Sequence, residues 1–279
     1  MLYADLHVHS THSDGRFTPR RIVEEAVKAG VGLLAVADHD MFSGSLEAEP
    51  IALEASVSFI RACELTTQHE GRIYHVLAYG ADFEKEALKR LIRGARRALD
   101  QMSVDLIKRM QADYPDLSPE DFERFERDPS MGGWKGLEYL YRRGLSQNYK
   151  DGIAYYARYG VTYEQAGFPA LTQAAAQIRA AGGRAVLAHP GESVGAQESA
   201  AFSAALNALI DAGLDGLECY YPTHPDWVTR ACLELCARRN LIVTSGSDCH
   251  GGFSGSDIGC LKTPAGALRL DGIAIARPQ

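Results

Sequence analysis

Histidines and carboxylates recur at the ends of short apolar runs, and that placement limits the folds open to this chain. His7 and His9 follow LYADL, Asp38-His39-Asp40 follows LLAVA, and Glu64 follows VSFIRAC. His75 lies within IYHVLAY, His189-Pro190 closes RAVLA, and Asp248 with His250 follows LIVTS. Between the runs lie amphipathic stretches of helical period at 19–29, 45–55, 84–110, 171–181, 198–212 and 225–239. Apolar strands alternating with such helices predict βαβ units and a mainly parallel sheet, closed as a barrel or open and doubly wound. In both arrangements sites form at the carboxyl ends of strands, so residues about 240 positions apart can meet at one mouth.

Punctuation agrees with periodicity. Thr18-Pro19 reads as an N-cap with proline in the first helical position, and Gly30 and Gly182-Gly183 stand just past helix ends. From 111 to 168 the rhythm breaks into a stretch rich in Asp, Tyr, Arg and Gly (DYPDLSPEDFERFERDPSMGGWKG). Short helices and no strand are expected there, as an inserted subdomain capping one end of the sheet built by 1–110 and 169–279.

A length of 279 residues suits one large α/β domain with an insertion of its own. Hydrophobic residues at 46% and charged residues at 23% exclude disorder and coiled coil as descriptions of the whole. The 29 Lys and Arg against 36 Asp and Glu leave a net charge of −7, which gives no electrostatic reason to expect long nucleic acid or an anionic membrane as partner. The N-terminus MLYADLHVHS has neither a basic nor an apolar leader region, and no run of eighteen apolar residues occurs, so a cytoplasmic protein is expected. Six cysteines at 63, 219, 232, 236, 249 and 260 include no CxxC and read as reduced thiols, with Cys232 and Cys236 in the core. The absence of GxxxxGK[ST] argues against a nucleotide-driven motor.

Taken singly, each polar element is weak. HxH on a strand puts two imidazoles on one face, but any strand carries two histidines by accident. DHD is usually a loop, a Glu before two threonines is usually at the surface, and His before Pro is usually a satisfied core residue. Five or six such elements, all at strand ends and all of N or O ligand type, favour one shared metal site.

HVHSTHSDG, ADHD, the Glu64–His75 pair, LAHPG and GSDCHG, in that order, resemble the signature motifs of the PHP (polymerase and histidinol phosphatase) family. Within it the chain is most similar to the stand-alone metal-dependent phosphoesterases, in which SDG follows the first HxH. The likeness runs from Asp5 to about Gly259. It implies a distorted (β/α)7 barrel with two or three divalent ions at its mouth. His7, His9 and Asp248 would bind a first ion, which Glu64 would bridge to a second held also by His75 and His189. Asp14, His39 and His250 would bind a third, while Asp38 and Asp40 would orient His39 and the backbone. Mixed imidazole and carboxylate ligation suits Mn²⁺, Zn²⁺ or Fe²⁺ better than Mg²⁺ or Ca²⁺. Three divalent ions against Asp14, Glu64 and Asp248 would leave a charge of about +3, which a phosphate dianion and a hydroxide would cancel.

The activity so implied is hydrolysis of a small-molecule phosphate mono- or diester, nucleotides and cyclic phosphates included, by a metal-bridging hydroxide attacking phosphorus in line, framed by Glu64 and Asp248. His224, six residues past Glu218, would protonate the leaving alkoxide or else cap the helix starting at Pro225. Lys135 in GGWKG stands where those phosphoesterases place a phosphate-gripping cation, commonly arginine; lysine would act as a point charge. Arg72 and Trp134 are further candidates for the mouth. Glu192 replaces the usual arginine after HPG, which weighs against a nucleotide bisphosphate. The expected partner is a small phosphorylated substrate, with the oligomeric state open. Two alternatives stand beside this reading: histidinol phosphatase, and a noncatalytic metal-stabilised PHP module. The ligand-type residue at every expected metal position argues against the latter.

Overall fold

The computed structural model describes residues 2–195, 200–253 and 256–279. A first sheet joins β1 (Tyr3–Asp5), β2 (Val31–Leu34) and β3 (Ser58–Phe59) in that order, all parallel. A second runs β4 (Ala62–His69), β5 (Arg72–Tyr79), β6 (Arg184–Leu187), β7 (Gly216–Tyr220) and β8 (Ile242–Ser245). The chain is therefore mixed α/β, in two distinct sheets.

The expected parallel pairing holds for β6–β7–β8 and fails at β4–β5 and β5–β6, which are antiparallel. The cause is local. Glu70 and Gly71, between β4 and β5, both have positive φ (49° and 75°), the backbone a two-residue hairpin turn requires. The run VSFIRAC is also not one strand: it breaks after Phe59, and β4 continues through Glu64 to His69. Glu64 consequently lies inside a strand rather than past its end.

Helices cover the sheets: α1 (Pro19–Lys28), α2 (Ser43–Glu54), α3 (Glu86–Met110), α7 (Leu171–Ala180), α8 (Ala200–Asp211) and α9 (Asp226–Arg239). Thr18 caps α1 by accepting from the Arg21 N–H, Pro19 fills the first turn, and Ile22, Val23 and Ala26 face inward. The predicted start of α8 at 198 lies outside the described residues.

Between 111 and 168 come α4 (Pro119–Arg124), α5 (Lys135–Arg142) and α6 (Ile153–Arg158), with short 3₁₀ turns and no strand among the described residues. Their apolar residues, Phe122, Leu137, Leu140 and Tyr156 among them, join the same core as Leu65 and Val76 of the sheet and Ile92 and Leu106 of α3. At about 1.5–3 kcal/mol for each large side chain buried, this shared core ties the segment to the sheet and α3. Among the described residues, no helix is long and apolar enough to cross a membrane.

The two sheets meet where the polar motifs lie. The Leu6 N–H donates to the Ser245 carbonyl (2.9 Å), Asp248 N–H to His7 O (2.8 Å), Glu64 N–H to Asp38 O (3.1 Å) and Asp40 N–H to Glu64 O (2.8 Å). Tyr79, fully buried, adds its hydroxyl to the Leu6 carbonyl (2.9 Å). These links join the segment after β1 to β8, the segment after it and β5, and the segment after β2 to β4.

Candidate metal centre

His7 and His9 extend β1 on strand-like backbone and so turn to the same side, with ring centroids 5.1 Å apart and no solvent exposure. Asp14 reaches them from a loop that Asp38 ties down, accepting from the Ser10 N–H (2.8 Å), Ser10 Oγ (2.7 Å) and Ser13 Oγ (2.6 Å). A side chain at Gly44 would put Cβ 2.0 Å from Asp38 Oδ2, so glycine is required there. Asp40 accepts from the Thr66 N–H (2.8 Å) and hydroxyl (2.9 Å), fixing the segment that carries His39 against β4. Asp40, His189 and Asp248 all hold left-handed backbone (φ 51°, 33° and 53°), a strain of about 1–3 kcal/mol each that is typical of functional sites.

Glu64 is the hub. Its Oε2 lies 3.2 Å from His7 Nε2, 3.2 Å from His9 Nε2 and 3.0 Å from His39 Nδ1, while Oε1 lies 3.1 Å from both His75 Nδ1 and His189 Nε2. Asp248 Oδ1 is 2.9 Å from His9 Nε2 and 3.4 Å from His7 Nε2. Asp14 Oδ2 is 3.3 Å from His250 Nε2 and 3.9 Å from His39 Nε2, and its Oδ1 is 3.5 Å from His9 Nδ1. Ligand-type atoms lie within 4.8 Å of one another in three overlapping groups: His7, His9, Glu64 and Asp248; His39, Glu64 and His75; His9, Asp14, His39 and His250. His39 thus belongs with both Glu64 and Asp14.

The charges are tightly interdependent. Burial alone would raise the Glu64 carboxyl, but the imidazoles of His39, His7 and His75 outweigh it and hold the group well below the usual carboxylate range. Burial would lower His9, yet the Asp248 and Glu64 carboxylates beside its ring carry it up to about 10. For His39 burial prevails and takes it down to about 3.

Buried polar atoms normally find partners. Here His7 Nε2, both ring nitrogens of His9, Glu64 Oε2 and His75 Nδ1 are buried and lack hydrogen-bond geometry to any group, although they stand close together. Convergent imidazole nitrogens and carboxylate oxygens left in that state are the donor set that a divalent transition metal takes. The residues present therefore fit such ions.

Glu218, a landmark in the sequence but not a candidate, is fully buried behind His7. Its Oε1 and Oε2 lie 3.1 and 3.3 Å from His7 Nδ1, and Oε2 accepts the His189 N–H at 2.8 Å. A carboxylate on Nδ1 fixes the tautomer that turns Nε2 toward the cluster. Gly246 makes the approach possible, since a Cβ there would lie 2.1 Å from the His7 Cβ and 2.5 Å from Glu218 Oε1. Asp5 is equally buried and accepts from the Ser247 (2.9 Å) and Gly259 (2.8 Å) N–H groups, and the Tyr221 hydroxyl donates to Asp248 Oδ2 (2.9 Å). The sequence signal for Glu218 is a carboxylate inside the apolar run GLECY.

The substrate-facing candidates fare differently. Lys135 opens α5, donates to the Glu123 carbonyl (2.9 Å) and lies over the Phe122 ring; its neighbour Trp134, with Arg96 and Tyr163, lines the cavity over Asp14, His39 and His75 instead. Arg72 is exposed and turns to the Ser193 and Val194 carbonyls (3.4 and 3.5 Å), away from that cavity. His224 accepts the Gly191 N–H at Nε2 (3.0 Å) and faces the Cys219 carbonyl with Nδ1 (3.2 Å). Both ring nitrogens are engaged, and the ring pins the turn after His189.

The profile of the PHP domain matches residues 5–127. A phosphoribosyl 1,2-cyclic phosphate 1,2-diphosphodiesterase of Eggerthella lenta is 29% identical over 264 residues, covering 89% of this chain and 94% of that protein. A 5′-3′ exoribonuclease of Haemophilus influenzae is 30% identical over 188 residues, 67% of this chain and 68% of that one. A solved structure from Bifidobacterium adolescentis, described as a metal-dependent phosphoesterase, superposes with a TM-score of 0.77 at 28% identity, covering 95% of this chain and 94% of its own.

Proposed function

The chain belongs to the PHP family, and on that premise we propose that it is a metal-dependent phosphoesterase cleaving small phosphate mono- or diesters over the Glu64 cluster. The observation that carries this reading is the convergence of buried ring nitrogens and the Glu64 Oε2 oxygen, none with a hydrogen bond to satisfy it, around one glutamate, a costly arrangement unless cations balance it. His7, His9, Glu64 and Asp248 would hold one divalent ion, and Glu64 and His75 a second, with His39 and His189 in reach. His9, Asp14, His39 and His250 would hold a third. Such ions supply charge for the phosphoryl oxygens and make water a nucleophile near neutral pH.

The chain's own part is positioning. Glu218 fixes the His7 ring and the His189 backbone, Asp38 and Asp40 fix the loops carrying Asp14 and His39, and Tyr221 steadies Asp248. Residues 111–168 act as a cap, a reading supported by Trp134 and Tyr163 lining the cavity over the cluster. The family premise also implies a distorted seven-stranded barrel, with β3 and β4 as one interrupted strand; the backbone links between the two sheets support it.

A hydrolysis screen on the Mn²⁺-loaded chain, read by released phosphate for monoesters and by chromatography of the products for diesters, cyclic phosphates and RNA, tests the reading. The panel holds alkyl monoesters, diesters, cyclic phosphates and, because one relative is an exoribonuclease, short 5′-phosphorylated RNA. Turnover of small esters that chelation abolishes is expected. A metal-replete chain inert on the whole panel would overturn it in favour of a binding module.

A further inference from the structure

Asp14 reaches the third ligand group from a turn, with no strand beneath it. The inner side of that turn is held by Asp38 and by the Ser10 carbonyl, which accepts from the Ser13 (3.1 Å) and Gly15 (3.0 Å) N–H groups. Its outer side presents the Thr11 and Asp14 carbonyls, and the cap supplies a donor to each. Arg127 donates through Nη2 to the Thr11 carbonyl (3.0 Å) and through Nη1 to the Gly133 carbonyl (2.5 Å). The Gly133 N–H in turn donates to the Asp14 carbonyl at 2.7 Å. One guanidinium therefore holds both the turn and the residue that grips Asp14.

The backbone of the cap is shaped for this contact. Gly132 has φ 71° and ψ −179°, a conformation open in practice to glycine alone. A Cβ there would lie 2.7 Å from Arg16 Cγ and 3.2 Å from both Asp14 O and Phe253 Cβ. The His250 carbonyl accepts from the Phe253 (3.3 Å) and Arg16 (3.1 Å) N–H groups, so the glycine turn is wedged between the segments that bring Asp14 and His250 to the third group. Arg127 is half-buried and, among the described residues, pairs with no carboxylate, which leaves its planar fork to the two carbonyls. The other two groups are steadied elsewhere, by β4, β5, Glu218 and Tyr221.

We propose that Arg127 is a positioning residue that latches the cap onto the Asp14 turn, so that docking of the cap and filling of the third ion site are one coupled equilibrium. The inference rests on the cap and the three ion sites proposed above. Its test reads metal binding and cap protection, so a chain that binds its ions without turnover defeats the phosphoesterase reading and still decides the latch.

The full chain, stripped of metal, is titrated with Mn²⁺ by calorimetry, and elemental analysis fixes the number of ions bound. Arg127→Met should weaken one ion, the same one that Asp14→Asn releases, by about 10- to 100-fold, as loss of a group that orients a ligand does, and should leave the other two at wild-type affinity. Arg127→Lys keeps the charge without the fork and should restore part of the loss. Gly132→Ala strains the turn without touching the guanidinium, and should weaken the same ion. A residue that only supports the fold would move all three affinities together or none; either result, or a wild type that binds no third ion, overturns the proposal. Coupling is reciprocal, so in the wild type the filling of that ion should slow tryptic cleavage within 111–168 by a comparable factor. Should neither variant fold, that measurement decides, and cleavage of the cap at a rate indifferent to the third ion sinks the latch.

Discussion

Five imidazoles press on the two oxygens of Glu64, so its charge matters more than its shape. Glu64→Gln keeps the volume but replaces one shared anion with a neutral amide whose NH₂ faces ring nitrogens. Bound metal should fall, and activity with it, by orders of magnitude; elemental analysis and phosphate release on the purified variant check this, and wild-type metal content would refute the hub role. Glu218→Gln is a subtler case. The amide oxygen can still accept one hydrogen bond, but the charge that fixes the His7 tautomer is gone, so metal affinity should drop by about 10- to 100-fold. Titration against a competing chelator measures it. The cluster was legible in sequence because its ligands stand in recognisable short motifs, whereas Glu218 and Asp5 were not, since what marks them is total burial inside otherwise apolar strands. Burial of that kind is settled by tertiary packing.

At the scale of elements, periodicity located strands and helices well, because apolar spacing and capping residues act locally. It misjudged pairing. One apolar run became β3 and β4, and the Glu70-Gly71 turn made β4–β5 a hairpin inside an otherwise parallel arrangement, so Glu64 and His75 reach the mouth from adjacent antiparallel strands. The turn after His189 is likewise an element-level device. His224 holds its Gly191 N–H and is itself oriented toward the Cys219 carbonyl, and burial lowers its pKa. With both ring nitrogens so engaged, we propose that the ring acts on the backbone of this turn. His224→Asn should therefore slow alkyl phosphates and p-nitrophenyl phosphate by the same factor and cost about 1–3 kcal/mol of stability through the unpaired N–H. Paired kinetics and denaturant unfolding check both. A loss confined to alkyl esters would restore the proton-donor role.

For the molecule as a whole, the cluster joins both sheets, since His7, His9, Asp14 and His39 come from the segments after β1 and β2, while Glu64 and His75 lie on β4 and β5, and His189, Asp248 and His250 on the segments after β6 and β8. A ligand that binds only when these segments are together stabilises the entire fold by mass action, by about 4 kcal/mol at a free concentration a thousandfold above its Kd. For a chain of 279 residues, with about 2–4 °C per kcal/mol in somewhat smaller domains, this means a rise in Tm on the order of 10 °C. Stripping with a chelator should lower Tm by that amount, and adding Mn²⁺ back should raise it in proportion to the logarithm of its concentration. The same titration on Glu64→Gln should give a much flatter slope, because that variant loses the anion between the two ion sites while keeping the apolar core intact. Scanning calorimetry over a Mn²⁺ series checks both curves. Equal slopes would mean that the metal binds without holding the sheets together, and that the backbone links at Leu6, His7, Glu64 and Asp40 join them unaided.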